Sequence, residues 1–289
     1  MRKYVTLVLC CLILVSGMLV SCGTQSNAPA TGGEATVVPA VPAQKSVLDE
    51  IKERGKLRMA IYYKSGSPLQ RINDAGQGEG YFVDLGNLMA KDLGVEAEFV
   101  DVSEWASIIP TLLSGKVDII ISGVSATPER GLSIDFPGTI VYYDMSVLVR
   151  KDGKVKTVAD LEQPGVIISV NQGSSQHFYV TGRYPNAVVK PVPGIQEARL
   201  EVASGKADAC VLDSYQGALF IAEYPDTTLL RSEDGEIEIL GRETGSPAIR
   251  QGDERWYRWL ENWLRWYGNM GTFDSYYDKW IDPVMAVVE

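Results

Sequence analysis

Apolar runs and amphipathic segments alternate along the chain after an N-terminal segment of different character. Lys56 to Tyr63 and Val117 to Ile121 have the length and the β-branched content that are typical of strands. Gly80 to Leu85 predicts a strand that turns into a helix, with Asp84 as its N-cap and Gly94 as its end. Strand, helix, strand, helix in this order predicts a parallel sheet covered by helices.

The second half of the chain repeats this pattern after the polar turn Lys151-Asp152-Gly153. Buried strands are predicted at Val166 to Val170 and at Ala207 to Leu212. Polar residues follow both strands, Asn171 to Gln176 after the first and Asp213 after the second. Since 289 residues are enough for two cores, the repeat predicts two α/β lobes, each with a polar loop after a strand.

The strongest combination of signals follows the predicted strand Val117 to Ile121. This strand delivers Ser122 to Ser125 to the carboxyl end of the sheet, where open α/β sheets bind ligands. Thr127-Pro128 predicts a helix start, with Thr as N-cap and Pro at the first helical position. Arg130 falls on the third residue of that helix and can offer a two-pronged donor to a carboxylate. An exposed surface arginine is the alternative.

The C-terminal region predicts an aromatic amphipathic helix. Its apolar residues follow three- and four-residue steps: Trp256, Trp259, Leu260, Trp263, Leu264 and Tyr267. Charged residues interleave with this stripe, which favours a helix that packs on a core over one that lies on a membrane surface.

The N-terminus predicts export. Residues 1–21 combine a short basic start with an apolar run too short to span a bilayer comfortably, as in a signal peptide. Leu19 to Gly23 resembles a bacterial lipobox, in which Cys22 is diacylated and becomes the first residue. An uncleaved anchor is the alternative. Residues 22–46 are rich in Ala, Pro, Gly, Thr and Ser and predict a flexible tether, so the folded part is expected outside the cytoplasmic membrane.

Charge and cysteine content narrow the function further. The net charge is -10, which argues against general nucleic-acid binding. Loss of residues 1–21 would leave 25 basic and 37 acidic residues, or -12. Cys210 is then the one cysteine of the predicted folded part, so no intramolecular disulfide is expected. Its place in a predicted strand indicates an inert buried residue.

Few residues could carry a reaction. Gly123 to Thr127 is one residue short of the Gly-x-Ser-x-Gly elbow of hydrolases, and the single histidine, His177, belongs to the other predicted lobe. One histidine without paired thiols gives no zinc or iron ligand set. The glycine-rich turn Gly76 to Gly80 precedes a strand, which is the wrong order for a dinucleotide-binding loop. No metal or cofactor is therefore expected.

The remaining polar groups suit the binding of a zwitterion. Arg130 and Ser125 in one lobe can face Ser175 and Asp213 in the other, which pairs a cation and hydroxyls with an anion and a helix N-terminus. The α-carboxylate of the ligand would bind Arg130, its α-ammonium would bind Asp213, and Trp105 would cover its side chain.

Five segments together resemble a known family, the polar amino-acid-binding proteins of bacterial ABC importers, which form family 3 of the extracellular solute-binding proteins. The similarity runs from about residue 47 to the C-terminus. The segments are Gly80 to Leu85, Trp105 to Pro110, Ser114 to Asp118, Ile121 to Arg130 and Leu148 to Lys151.

The resemblance implies an α/β fold like that of type II periplasmic binding proteins, with two α/β lobes joined by a two-strand hinge. Lobe 1 would comprise residues 47–143 and 239–289, and lobe 2 residues 144–238. The chain would be a monomeric substrate-binding lipoprotein that captures an L-amino acid and delivers it to permease subunits. It would be anchored on the outer face of the cell membrane or its periplasmic side. A sensor or scavenging protein and a dehydratase-like enzyme on the same fold are the alternatives.

The resemblance also implies roles for individual residues in binding the backbone of the amino acid. Ser122, Gly123 and Ser125 would hydrogen-bond its α-amino and α-carboxylate groups. Arg130 would clamp the carboxylate, and Ser175 would add a hydroxyl and a backbone N–H.

Further residues would bind the ammonium and the side chain. Asp213 would take the ammonium, and Trp105 would stack on the side chain. Where many relatives carry an aromatic residue in the side-chain pocket, this chain has Gly66. Tyr62 or Tyr63 could supply the missing aromatic contact, and Tyr63 is the predicted site residue.

Overall fold

The computed structural model describes residues 45–286. The predicted signal peptide, the lipidation site Cys22 and nearly all of the tether lie outside the described residues. Within them, no helix is both long enough and apolar enough to cross a membrane.

Strands and helices alternate as the hydrophobic pattern predicts. The strands are β1 (Lys56–Ile61), β2 (Arg71–Ile72), β3 (Gly78–Glu79), β4 (Glu96–Asp101), β5 (Ile119–Ser125), β6 (Ile134–Asp135), β7 (Val141–Arg150), β8 (Ile167–Asn171), β9 (Val188–Val192), β10 (Ala209–Asp213), β11 (Thr227–Leu229) and β12 (Gly241–Arg250). The helices are α1 (Val47–Arg54), α2 (Tyr81–Leu93), α3 (Ile108–Leu113), α4 (Ser175–Arg183), α5 (Ile195–Ala203), α6 (Ser214–Glu223), α7 (Glu254–Asn269), α8 (Thr272–Trp280) and α9 (Asp282–Met285). Single 3-10 turns lie at Tyr63–Ser65, Trp105–Ser107, Arg130–Leu132 and Val158–Glu162.

One 10-stranded sheet runs through the fold in the order β4-β1-β5-β12-β7-β10-β8-β9, with β6 and β11 paired at its sides. The pairs β1/β4, β1/β5, β10/β8 and β8/β9 are parallel. We call β4, β1 and β5 the β1 half of the sheet, and β10, β8 and β9 the β8 half. Separate groups of buried side chains cover the two halves.

The long antiparallel strands β7 and β12 join the halves. Along β7, residues Val141–Met145 pair with β12, and Met145–Val149 pair with β10. On its other edge β12 pairs with β5, from Gly245 to Ala248. Because both strands run through the middle of the sheet, any relative movement of the two halves has to bend them.

The helix α2 begins earlier than predicted. Residues 81–83 are helical, and Gly80 rather than Asp84 occupies the N-cap position. The strand before the helix is the short β3, which pairs with β2. Gly80 has φ 129°, and a Cβ there would lie 2.6 Å from the backbone of Leu69. The tight turn at this glycine therefore starts the helix immediately after the hairpin.

The stretch around Ser125 also differs from its prediction. Ser122 to Ser125 belongs to β5 and not to a loop, because β12 pairs with this part of the strand. Thr127-Pro128 starts no α-helix; a single 3-10 turn, Arg130–Leu132, follows. Thr127 still accepts the backbone N–H of Arg130 through its hydroxyl, at 3.3 Å. The turn stays short because Ile134 returns to the sheet as part of β6.

The aromatic C-terminal helix packs on the core, as predicted. Its inward stripe is buried and comprises Trp256, Leu260, Trp263 and Leu264. The indole N–H of Trp263 donates to the Asp92 carboxylate on α2 at 2.8 Å. Cys210 is fully buried in β10, and burial raises the pKa of its thiol to about 12. The thiol therefore stays protonated at neutral pH and behaves as a small apolar group.

Candidate functional site

A cavity of about 60 Å³ lies where the two halves of the sheet meet. From the β1 half and the strands that join the halves it is lined by Tyr62, Ser65, Leu69, Gln70, Phe82, Trp105, Ser122, Gly123, Ser125 and Tyr143. From the β8 half it is lined by Asn171, Ser174, Ser175, Gln176, Ile195, Asp213, Tyr215 and Gln216. Six of the predicted site residues are brought together here: Trp105, Ser122, Gly123, Ser125, Ser175 and Asp213.

Strand ends place the polar residues of the cavity. Ser125 ends β5, Asn171 ends β8 and Asp213 ends β10. Ser174 caps the following helix by accepting the N–H of His177 at 3.1 Å, and Ser175 is the first residue of that helix. In both halves, polar residues at the carboxyl ends of strands therefore line the cavity, which is the edge of the sheet where the sequence predicts a ligand site.

Ser122 and Gly123 form the wall in the β1 half. The Ser122 hydroxyl accepts the backbone N–H of Tyr62 at 2.9 Å and donates to the side-chain oxygen of Gln70 at 2.5 Å. Gly123 has φ 63°, and a Cβ there would lie 2.2 Å from the Tyr143 hydroxyl. Only glycine fits this position, because it tolerates both the left-handed backbone and the close approach of the tyrosine.

Hydroxyl groups meet across the cleft. The Ser125 and Ser175 oxygens are 3.1 Å apart, which links the two halves directly. The Ser125 hydroxyl also donates to Oε2 of Glu243, a residue of β12, at 2.6 Å. The second oxygen of Glu243 is buried and has no partner among the described residues. Glu243 therefore adds a negative charge that the sequence reasoning missed.

Asp213 is the buried acid of the site. It is 8% exposed, and its Oδ1 accepts the amide N–H of Gln176 at 2.7 Å. Burial raises the pKa of Asp213 well above its ordinary value, and the negative charge of Glu243 adds to this, while the bond from Gln176 opposes it. A cation placed beside Asp213 would favour its ionised form.

Arg130 lies behind the wall of the cavity and not in its lining. The side chain is 6% exposed, and Nη1 donates to the Ser125 carbonyl at 2.9 Å. Nη2 donates to the Gly173 carbonyl in the β8 half at 3.0 Å. Arg130 and Trp105 border an adjoining cavity of about 310 Å³. Burial lowers the pKa of Arg130, which the charge of Glu243 counteracts.

The aromatic wall consists of Trp105 and Tyr62. Their rings meet edge to face, with centroids 6.0 Å apart. Tyr63 does not line the cavity: its backbone N–H donates to Asp101 at 3.0 Å, and its ring packs against Gly78. Burial raises the pKa of the Tyr62 hydroxyl to about 12, so it stays a neutral hydrogen-bonding group.

The described residues show no arrangement for hydrolysis or metal binding. His177 accepts the backbone N–H of Gly173 through Nδ1 at 3.3 Å, whereas the Ser125 hydroxyl bonds to Ser175 and Glu243. Between residues 45 and 286 there is no group of three or more His, Cys, Asp or Glu side chains that could hold a metal ion. The site offers a buried acid, hydroxyls and amides around a small cavity, which are groups suited to holding a polar ligand.

Comparison with known proteins identifies the family. The sequence profile of the bacterial extracellular solute-binding proteins, family 3, matches residues 57–283. The chain belongs to this family. Its fold is that of the type II periplasmic binding proteins, and the protein is an extracytoplasmic solute-binding protein.

Individual relatives of this family 3 protein are amino-acid-binding proteins. An ancestral amino acid-binding protein, described as a precursor of cyclohexadienyl dehydratase, is 36% identical, with a TM-score of 0.71 and coverage of 82% of this chain and 100% of that one. The glutamine-binding protein GlnH of Bacillus subtilis is 27% identical over 98% of this chain and 99% of its own length. A putative arginine-binding protein of Escherichia coli is 26% identical over 74% of this chain and 86% of its own length.

Sequence reasoning missed several lining residues of this family 3 protein. Gln176 directly follows the predicted site residue Ser175 in the first turn of α4. Its position next to Ser175 could therefore have identified it from the sequence. Asn171 ends a predicted strand in the same way as Asp213 and could have been found by that rule. Gln70, which lines the cavity, and Glu243, which contacts Ser125 from outside the lining, carry no local signal, because long-range contacts position both.

Proposed function

We propose that this family 3 protein is the substrate-binding lipoprotein of an ABC importer, which captures an L-amino acid between two lobes and delivers it to the permease. The observation that carries the proposal is the cavity between the two halves of the sheet, whose lining joins Ser125 to Ser175 and contains the buried acid Asp213. An L-amino acid supplies the ammonium that would keep this acid ionised, and burial in a closed cleft makes such a contact strong.

The lobes are proposed to move as two bodies. Lobe 1 would comprise residues 47–143 and 239–289, lobe 2 residues 144–238, and the central strands β7 and β12 would form the hinge. A paired charge, Arg242 with Asp144 at 2.6 Å, ties these two strands together. Opening would separate Ser125 from Ser175 and admit the ligand.

The ligand backbone is proposed to lie between the halves. Its ammonium would bind Asp213 and the Ser122 and Ser125 hydroxyls. Its carboxylate would take the Arg130 guanidinium and backbone N–H groups near Gly123 and Ser175. Arg130 would exchange its bonds to the Ser125 and Gly173 carbonyls for this carboxylate, which offers a stronger, charge-assisted pairing.

The ligand side chain is proposed to meet the aromatic wall. Trp105 would stack on it, and Tyr62, at the edge of Trp105, would take the aromatic position for which the sequence had suggested Tyr63. Both rings belong to the β1 half, so the side chain would be held before the cleft closes.

Membrane attachment is proposed to be through Cys22. Diacylation would hold the mature N-terminus on the outer face of the membrane, and residues 22–46 would let the folded part reach the permease. Mass spectrometry of the mature chain would show a diacylglycerol adduct, and a Cys22→Ser variant should be released into the soluble fraction.

Thermal unfolding of the purified full-length chain against each of the twenty L-amino acids tests the proposal. A ligand present at about 100 times its dissociation constant stabilises the folded state by about 2.7 kcal/mol, which raises the melting temperature by several degrees. Unchanged amounts of the amino acid after prolonged incubation would argue for binding over the enzymatic alternative. A chain that no amino acid stabilises would refute the proposal.

A further inference from the structure

Glu243 is a charged residue beside the cleft to which the proposed ligand contacts give no role. Its Oε2 accepts the Ser125 hydroxyl at 2.6 Å. Its Oε1 is buried and has no partner among the described residues. A buried carboxylate oxygen without a partner is costly, so a carboxylate at this position requires an explanation beyond the folding of the chain.

The pairing of strands brings Glu243 to Ser125. Gly245 of β12 pairs with Ser125 at the end of β5, and Glu243 precedes Gly245 by two residues. Glu243 and Ser125 both belong to the proposed lobe 1, whereas Ser175 contacts Ser125 from the β8 half. Opening of the cleft would therefore separate Ser125 from Ser175 and leave the bond to Glu243 in place.

The bond to Glu243 determines what Ser125 can offer to a ligand. A hydroxyl has one proton to donate and two lone pairs that accept, whereas the oxygens of a carboxylate only accept. The proton of Ser125 is therefore directed to Glu243, and 2.6 Å is the length of a charge-assisted hydrogen bond. In the contact of 3.1 Å across the cleft, Ser175 is then the donor. One lone pair of Ser125 remains for a further donor.

Ser122 has the same arrangement with a neutral partner. Its hydroxyl donates to the Gln70 oxygen at 2.5 Å and accepts the backbone N–H of Tyr62 at 2.9 Å, which also leaves one lone pair. Asp213, once ionised, adds a third acceptor to the same lining. These acceptors match the three N–H groups of an α-ammonium. A ligand carboxylate, which brings no proton, would find no donor at the Ser125 hydroxyl.

We infer that Glu243 is a positioning residue, which holds the Ser125 hydroxyl as an acceptor and thereby directs the α-ammonium of the ligand, and not its α-carboxylate, to this hydroxyl. This inference rests on the proposed function and deepens it. Glu243 does not line the cavity, so it acts through Ser125. Its negative charge also strengthens Ser125 as an acceptor, because hydrogen bonds in a chain polarise one another.

Isothermal titration of the full-length chain and of its Glu243→Gln variant tests the inference. The probes are the L-amino acid that stabilises the chain most in the twenty-member panel and its analogue without the amine. Glutamine keeps the size of the side chain, but it has no charge and its amide can donate to Ser125, which lets the serine proton turn toward the cleft.

The two probes should respond differently to Glu243→Gln. We expect the amino acid to bind at least about tenfold more weakly, and the analogue to change by less than about threefold. A role in folding alone would weaken both probes alike, and that result would overturn the inference. Glu233→Gln is the control, because Glu233 is exposed and outside the cavity.

A double-mutant cycle tests whether Glu243 acts through Ser125. In a Ser125→Ala background, Glu243→Gln should change the affinity for the amino acid by less than about threefold, because no hydroxyl is left to orient. Additive losses in the double variant, or an unchanged affinity of a folded Glu243→Gln variant, overturn the inference and leave the proposed function intact.

Ser125→Ala decides the case if Glu243→Gln does not fold. It should weaken binding of the amino acid by at least about tenfold and leave binding of the analogue within about threefold. Equal losses for both probes would overturn the inference. Absence of binding of any L-amino acid to the unmodified chain would overturn the proposed function as well.

Discussion

Asp213→Asn should separate the recognition of the ligand ammonium from all other contacts of the cleft. The substitution preserves the size of the side chain and an oxygen that can accept the Gln176 amide. It removes one buried charge that would otherwise pair with the ammonium. Truncating one partner of a buried, hydrogen-bonded charge pair costs about 2 to 5 kcal/mol. Because 1.4 kcal/mol corresponds to a factor of ten, affinity should fall by about 30-fold to several thousand-fold.

The pH dependence of the same variant follows from the raised pKa of Asp213. The folded chain without ligand disfavours the ionised carboxyl. Asp213 therefore stabilises the folded state at pH values below the pKa that its carboxyl has in the unfolded chain. This contribution is lost as pH rises toward the folded pKa. Asp213→Asn should therefore gain thermal stability relative to the unmodified chain as pH increases. Ligand binding favours the ionised form, so binding should release protons from the unmodified chain and fewer from the variant.

Calorimetric titration in two buffers of different ionisation enthalpy measures both affinity and proton release. The probes are the L-amino acid that stabilises the chain most in the twenty-member panel and its analogue without the amine. Asp234→Asn is the matched control, since Asp234 is exposed and lies outside the cavity. The reasoning would be refuted if Asp213→Asn weakened both probes equally, or weakened neither.

Three further substitutions test the clamp, the wall and the core. Arg130→Ala should cost about 2 to 5 kcal/mol of binding, and a loss under tenfold by titration would contradict the carboxylate role. Gly123→Ala should lower the free energy of unfolding by more than Gly115→Ala. Both have positive φ, but only at Gly123 would the new Cβ meet neighbouring atoms within 4 Å. Denaturant unfolding that gives equal losses would exclude crowding at Gly123. Trp256→Ala should cost about 3 to 5 kcal/mol, and Trp266→Ala less than about 0.5, because the first is 1% and the second 62% exposed; similar midpoints would be inconsistent with core packing of α7.

The local pattern of apolar and polar residues was sufficient to predict an element where its buried positions are continuous or regularly spaced. The apolar run before Ser125 predicted a buried strand, and all of β5 is buried. The stripe from Trp256 to Leu264 predicted a helix with one buried face, which α7 has. Asp213 was predicted to face the cleft because it ends a strand, and strand ends in parallel sheets lie at one edge; it does line the cavity.

Local pattern failed where a partner distant in sequence decided the outcome. Thr127-Pro128 carries the signals of a helix start, yet the chain makes one 3-10 turn and returns to pair with β12. Tyr62 and Tyr63 are equivalent in residue type, but Tyr62 follows β1 and meets Trp105, whereas Tyr63 begins a 3-10 turn and packs against Gly78. The position of the cleft relative to β1 therefore decided between them.

The sequence by itself determined the alternation of strands and helices, the two groups of parallel strands, and the polar residues at the strand ends. Each of these depends on spacing of apolar and polar positions within about a dozen residues. Tertiary structure alone decided which polar residues meet. Ser125 contacts Glu243 across 118 positions and Ser175 across 50, and Ser122 contacts Gln70 across 52. Such contacts depend on the pairing of β5 with β12 and on the docking of the two halves, which no local period encodes.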